Sequence, residues 1–246
     1  MLLPFPHNPL QPDVNSIALA PGAVHWFGTD NNGMDVFSRT IEAARLDLPI
    51  SLAATAIALA IGVPLGLFAT TGRAGEAIMR VIDAFAALPI IVLAVVSIQL
   101  MGGGATNVII AIALVGAPRF VRLSRAAAIS LRSSRYVEAA VAIGCSPARV
   151  AFNHIFRNAY GVVLVQATLT TAGALSTIAA LNFLGVGVRP PQPTWGAMIE
   201  DGFSMLIRGQ WWAAAFPALT ILVVIGSLNI IAGAIENKIE RVERAR

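Results

Sequence analysis

Apolar residues run together along this chain in long blocks. A helix that crosses the hydrocarbon core of a bilayer needs roughly 20 mostly apolar residues. Five blocks approach that length: 48–70, 82–101, 107–121, 160–184 and 212–235. The third is the shortest, because its uncharged part ends at Pro118, just before Arg119, Arg122 and Arg125. We read its lower end as emerging into a basic aqueous region where the arginines can snorkel. Pro64 and Pro89 lie inside the first two blocks. In a membrane bundle neighbouring helices satisfy the carbonyl that a proline frees, so both are read as kinks. Gly62 and Gly66 form a GxxxG pair, read as ordinary close helix packing.

Composition agrees with the blocks. The 246 residues are 57% hydrophobic and 12% charged, where a soluble domain carries about 25% charged residues. Mean hydropathy is +0.75. The net charge of +4 belongs to loops at a membrane surface, not to a nucleic-acid interface. Cys145 is the single cysteine, so no intrachain disulfide forms. His7, His25 and His154 are scattered along the chain, and no metal set is expected.

Basic residues fix the expected orientation. Arg73, Arg80, Arg119, Arg122, Arg125, Arg132, Arg135, Arg149, Arg157, Lys238, Arg241, Arg244 and Arg246 fall on one side, and Arg39, Arg45, Arg189 and Arg208 on the other. The richer side is expected to be cytoplasmic. The chain then divides into an outer segment 1–45 and a membrane domain 46–236, followed by a cytoplasmic tail 237–246. The membrane domain holds a cytoplasmic loop 122–159 and an outer loop 185–211. Residues 1–13 lack the basic and apolar regions of a signal peptide. An outer segment with no span before it suggests either that the gene product begins upstream with one more helix, or that the first span exports its own N-terminus.

The segment 138–158, EAAVAIGCSPARVAFNHIFRN, sits between the third and fourth spans. Tyr136, Ala139, Ala140 and Ile143 are spaced for one face of a short helix. Gly144 suits the left-handed position that ends a helix, Ser146 an N-cap and Pro147 the first helical position. Phe152, Ile155, Phe156 and Ala159 repeat the spacing. The expected product is a helix–turn–helix hairpin outside the bilayer, and two such short helices need a surface to pack on.

Glu138, Ala139, Ala140, Gly144, His154 and Asn158, at this spacing, resemble the "EAA" loop of the membrane subunits of ABC importers. HWFGTDNNGMDVFSR (25–39) and FLGVGVRPPQPTWGAMIEDG (183–202) resemble the second permease of the dipeptide, oligopeptide and nickel branch. The resemblance implies an all-helical transmembrane domain of the type I importer fold in a bacterial plasma (inner) membrane. It implies that Glu138, Ala139, Ala140, Gly144, Ser146, Pro147, His154 and Asn158 dock on an ATP-binding subunit. The implied partners are a homologous permease, two ATP-binding subunits, an extracytoplasmic solute-binding protein and the lipid bilayer, with no nucleic acid and no cofactor. The implied cargo is a dipeptide or oligopeptide, with nickel or a glutathione-like molecule as alternatives. Phe156-Arg157-Asn158 stands where the family usually has Leu-Pro-Asn, and Met34 where an Arg usually precedes the Asp. The family also has a helix ahead of the outer segment.

Other chemistry is sparse. No G-x-x-x-x-G-K-[ST] loop occurs, and Lys238 is the only lysine, so ATP hydrolysis is assigned to a partner chain. An enzyme would want convergent His, Asp, Glu or Ser within the spans. A secondary transporter would bury an ionisable group in mid-membrane, whereas Asp47 and Asp83 are expected at span ends, within reach of water. In the fourth span Thr168, Thr171 and Asn182 fall near one face and either line a path or bond neighbouring helices. Trp195, Trp211 and Trp212 are expected at the membrane interface. Pro190, Pro191 and Pro193 make 183–202 an outer loop.

Overall fold

The computed structural model describes residues 6–70 and 72–244. Among these residues there is no strand beyond one isolated bridge between Thr29 and Asp35. The elements are α1 (Val36–Phe68), α2 (Gly72–Ala86), α3 (Ile90–Met101), α4 (Ala105–Arg132), α5 (Arg135–Ala142), α6 (Pro147–Arg149), α7 (Arg157–Phe183), α8 (Trp195–Leu206) and α9 (Trp212–Arg244). A π-helical segment, Val150–Phe156, joins α6 to α7. Four helical runs are long and apolar enough to cross a membrane: α1, α4, the continuous stretch Pro147–Phe183, and Trp212–Arg241 of α9. The pair α2 and α3, bent by 94°, makes a fifth if counted as one span.

Helix α1 starts twelve residues before the apolar block that announces it. Asp35 caps it, its Oδ2 accepting from the Ser38 amide at 2.8 Å. The extra turns carry buried Arg39, Thr40 and Asp47, polar residues that face other protein segments and so lower the hydropathy of a true helix. The second block is broken at Pro89, which serves as the N-cap of α3. The proline ring disfavours helical geometry in the residue before it, which ends α2. The third block continues well past Pro118 and its arginines to Arg132.

Helices α1 and α4 pack through the glycine pair. A Cβ on Gly62 would fall 2.7 Å from Phe120 Cβ, and one on Gly66 would fall 2.0 Å from Ser124 Oγ. Only hydrogen at those positions permits the crossing. Arg125 Nε donates to the Ala69 carbonyl at 2.8 Å, satisfying an acceptor just past the end of α1.

The far end of the bundle corrects three expectations. The prolines keep residues 187–193 out of helix, but Thr194 then caps α8, its Oγ1 accepting from the Ala197 amide at 3.3 Å. The segment 185–211 is therefore a helix-bearing lid, not a plain loop. Trp195 is fully buried within the protein: its Nε1 donates to the Thr40 carbonyl at 2.9 Å and its amide to Asp47 Oδ2 at 2.9 Å. Asp47 is correspondingly buried and does not reach water. Trp212 is also buried and donates to the Thr29 carbonyl at 3.0 Å, while Trp211 is exposed. These bonds tie α1 to α8, and the segment before α1 to α9.

Candidate functional site

The hairpin begins where α4 ends. Helix α5 closes in a Schellman motif: the Cys145 amide donates to the Ala140 carbonyl at 3.0 Å and the Gly144 amide to that of Val141 at 3.0 Å. Gly144 has φ 82°, the left-handed conformation this closure requires. Ser146 then caps α6, its Oγ accepting from the Arg149 amide at 3.4 Å, with Pro147 in the first turn.

The buried stripe differs from the expected one. Val137 and Ala140 are the buried residues of α5, whereas Tyr136, Ala139 and Ile143 point out. In the second half Val150, Ala151, Ile155 and Ala159 are buried, Phe156 is half-buried and Phe152 is exposed, its ring centroid 6.0 Å from that of Phe68. The register is set by packing on Phe120 in the middle of α4 and on Val63 and Leu67 in the last turns of α1. The exposed side therefore carries Glu138, Val141, Ile143, Ser146, Pro147 and Arg149. Ile143 is 81% exposed, the apolar tip of the hairpin. Between hairpin and α1 lies a largely apolar groove of about 660 Å³, walled by Leu67, Phe68, Val137, Val141, Cys145 and Val150.

No turn separates the second hairpin helix from the span that follows. The backbone passes from α6 through the π segment into α7 without a break. Asn158 Nδ2 donates to the His154 carbonyl at 2.6 Å, so these two residues brace the change from π to α geometry. With Arg157 where a proline would force a break, the helix continues. The eight hairpin residues singled out by sequence thus form one unit. Glu138, Ala139, Gly144, Ser146, Pro147 and Asn158 are exposed, Ala140 is buried and His154 is half-buried.

The three residues proposed for a path do not share an open face. Thr171 is buried, its hydroxyl donating to the Ala167 carbonyl at 2.9 Å and its Oγ1 accepting from the Thr55 hydroxyl on α1 at 3.2 Å. Asn182 is buried, and its Oδ1 accepts from the Val188 amide at 2.8 Å, pinning the loop after α7. Thr168 is half-buried and bonds the Leu164 carbonyl of its own helix. Sequence reading missed Arg119. It borders a small niche with Thr55, Ile90, Thr170, Gly173 and Thr177, between α1, α3, α4 and α7. Its Nη1 would lie 3.2 Å from a Cβ on Gly173, so the missing side chain makes room for the guanidinium. The available signal was its place as the first charge after the uncharged run that ends at Pro118. Two of the three histidines, scattered in sequence, also meet in space: His7 and His25 both approach Asp35.

Comparison with known proteins completes the site. The model of the family described as "Binding-protein-dependent transport system inner membrane component" matches residues 33–241. The chain is 40% identical over 215 residues to a "Di/tripeptide transport system permease protein DppC" of Pseudomonas aeruginosa, covering 87% of this chain and 71% of the relative. It is 36% identical to a "Probable D,D-dipeptide transport system permease protein DdpC" of Escherichia coli, covering 95% and 79%. A "Glutathione transport system permease protein GsiD" of Pectobacterium atrosepticum is 31% identical, covering 93% and 76%. Among solved structures, an inward-facing MetNI methionine ABC transporter shares the fold, with a TM-score of 0.62, 20% identity and coverage of 83% of this chain and 94% of that one. With its multi-pass helical architecture and a family match across most of its length, this chain belongs to the inner membrane components of binding-protein-dependent transport systems, the permease subunits of ABC importers.

Proposed function

We propose that this permease conducts dipeptides or short oligopeptides inward, and that the α5–α6 hairpin faces the cytoplasm as its docking element for a separate ATP-binding subunit. The carrying observation is the hairpin itself: an exposed apolar tip at Ile143, closed by a Schellman turn and continuous with α7. A push on the tip is delivered to a membrane helix with no hinge between them. Glu138, Ala139, Ser146, Pro147 and Arg149 surround the tip and form the contact surface, while Gly144, His154 and Asn158 hold its shape. The peptide assignment is supported by the cargo named for the relatives at 36–40% identity. The glutathione relative, at 31%, favours a second reading in which a modified tripeptide is carried.

ATP hydrolysis belongs to the partner, since the chain contains no phosphate-binding loop. A cytoplasmic position for the hairpin and the C-terminal tail is supported by the Lys/Arg bias. The complex contains a homologous permease, two ATP-binding subunits and an external solute-binding protein. Arg119 borders the niche between α1, α3, α4 and α7, about 20 Å³ in volume, and its guanidinium is the group there that would meet a peptide carboxylate once the niche opens. The test is ATP-dependent uptake of a labelled dipeptide into proteoliposomes that hold the whole complex with its binding protein. Uptake that unlabelled dipeptide suppresses and glutathione does not supports the peptide reading; the reverse competition supports the second.

A further inference from the structure

We infer that His7, His25 and Asp35 form a binding site for a divalent transition-metal ion of the zinc class, one that fastens the segment before α1 to the start of that helix. The three side chains come from well-separated positions in sequence, yet their ligand atoms all lie within 4.8 Å of one another. His25 Nδ1 is 2.9 Å from Asp35 Oδ1, and His7 Nδ1 is 3.9 Å from the same oxygen. The two imidazoles lie side by side, their centroids 4.4 Å apart. The Asp35 side chain is 2% exposed and that of His25 12%. A zinc-like ion binds imidazole nitrogen and carboxylate oxygen at about 2.0–2.2 Å. Donors that share one such ion sit roughly 3–3.5 Å apart, so only small side-chain shifts are needed to close this set.

A second observation points to a missing partner. His7 Nδ1 is buried and has no hydrogen-bond partner among the described residues. At 3.9 Å it is too far from Asp35 to bond it. Buried nitrogens of this kind are normally satisfied. Asp35 itself is firmly placed, with Oδ2 accepting the Ser38 amide as the cap of α1. Oδ1 accepts the Nδ1–H of His25 at 2.9 Å and faces the His7 ring as well. An incoming cation would displace that proton, so that two imidazole nitrogens and one carboxylate oxygen converge on it and a fourth position is left for water. Two nitrogen donors and one oxygen favour a borderline ion over calcium or magnesium. Bound there, the ion would tie residues 7, 25 and 35 together and hold the outer segment against α1.

The test uses the whole transporter complex in nanodiscs, stripped with chelator and then titrated with Zn²⁺, with Co²⁺ as a visible-absorption probe. Asp35→Asn keeps a capping oxygen for Ser38 while removing the charged ligand, and His7→Ala alters only the segment ahead of the helix. The expected result is one equivalent of Zn²⁺ per permease chain that both variants lose, together with a Co²⁺ band of low coordination number absent from both. Metal content and Co²⁺ spectra identical between the parent and the assembled variants would overturn the site. So would a parent complex that takes up no Zn²⁺ beyond the amount bound by its other subunits.

Discussion

Gly144 has open space around it: a Cβ there would meet nothing within 4 Å. Substitution is therefore penalised by backbone conformation alone, at about 1–2 kcal/mol for holding an ordinary side chain in the left-handed region. Gly144→Val is expected to insert and assemble but to lose most cargo-stimulated ATPase activity, because the tip is displaced. Gly144→Asn, which tolerates that conformation, is expected to retain most of it; equal loss in both variants would show that shape at the turn is not what matters. Asp47 presents the opposite situation, a buried acceptor for the Trp195 amide. Asp47→Ala leaves that buried N–H unpaired, a cost of about 1–3 kcal/mol. It should lower the thermal midpoint in detergent, and Asp47→Asn should restore much of the loss. Arg119→Gln is expected to raise the KM for dipeptide uptake while leaving basal ATPase unchanged. Blocking the peptide's C-terminal carboxylate should then abolish the difference between parent and variant, and a difference that survives blocking would remove Arg119 from cargo recognition.

At the scale of elements, what the sequence made legible was what hydropathy and turn chemistry encode. Four of the apolar blocks correspond to helical runs long and apolar enough to cross a membrane, and the Gly-x-Ser-Pro punctuation at Gly144, Ser146 and Pro147 to a formed turn. The first turns of α1 escaped because Arg39, Thr40 and Asp47 are polar residues buried against other segments, so their pattern resembles a surface. Helix α8 escaped because three prolines stand just ahead of it, and proline excludes helix at its own position while saying little about the residue after Thr194. Of the residues read as either lining a path or bonding neighbouring helices, Thr171 and the Oδ1 of Asn182 bond within the fold, while Asn182 Nδ2 is buried without a partner among the described residues. The glycine pair was read as packing, and the contacts give it consequences. Gly66→Leu must displace Ser124 Oγ and the Val121 carbonyl, the latter only 2.3 Å from the added Cβ. Backbone cannot yield as a side chain can, so α1 and α4 should separate. The expected outcome is loss of monodisperse protein on size exclusion. An intact, equally stable Gly66→Leu protein would mean that the helices do not cross there.

The whole molecule has two built ends. One end is a tied lid, where Thr29, Thr40 and Asp47 hold Trp212 and Trp195 in place. The other is the hairpin, whose closure fixes Ile143 outward and whose second helix becomes α7. A permease built this way moves as a lever only if the tip is seated in its ATP-driven partner. The direct measurement is a cross-link. Ile143→Cys is placed in a Cys145→Ser background, so that no other cysteine remains in this chain, and paired with single cysteines introduced in the ATP-binding subunit of the assembled transporter. The account predicts a disulfide between the tip and that subunit whose yield changes between nucleotide-free and ATP-bound states. A tip cysteine that stays unlinked in every state, and that maleimide labels as fast in the complex as in the isolated permease, would contradict it.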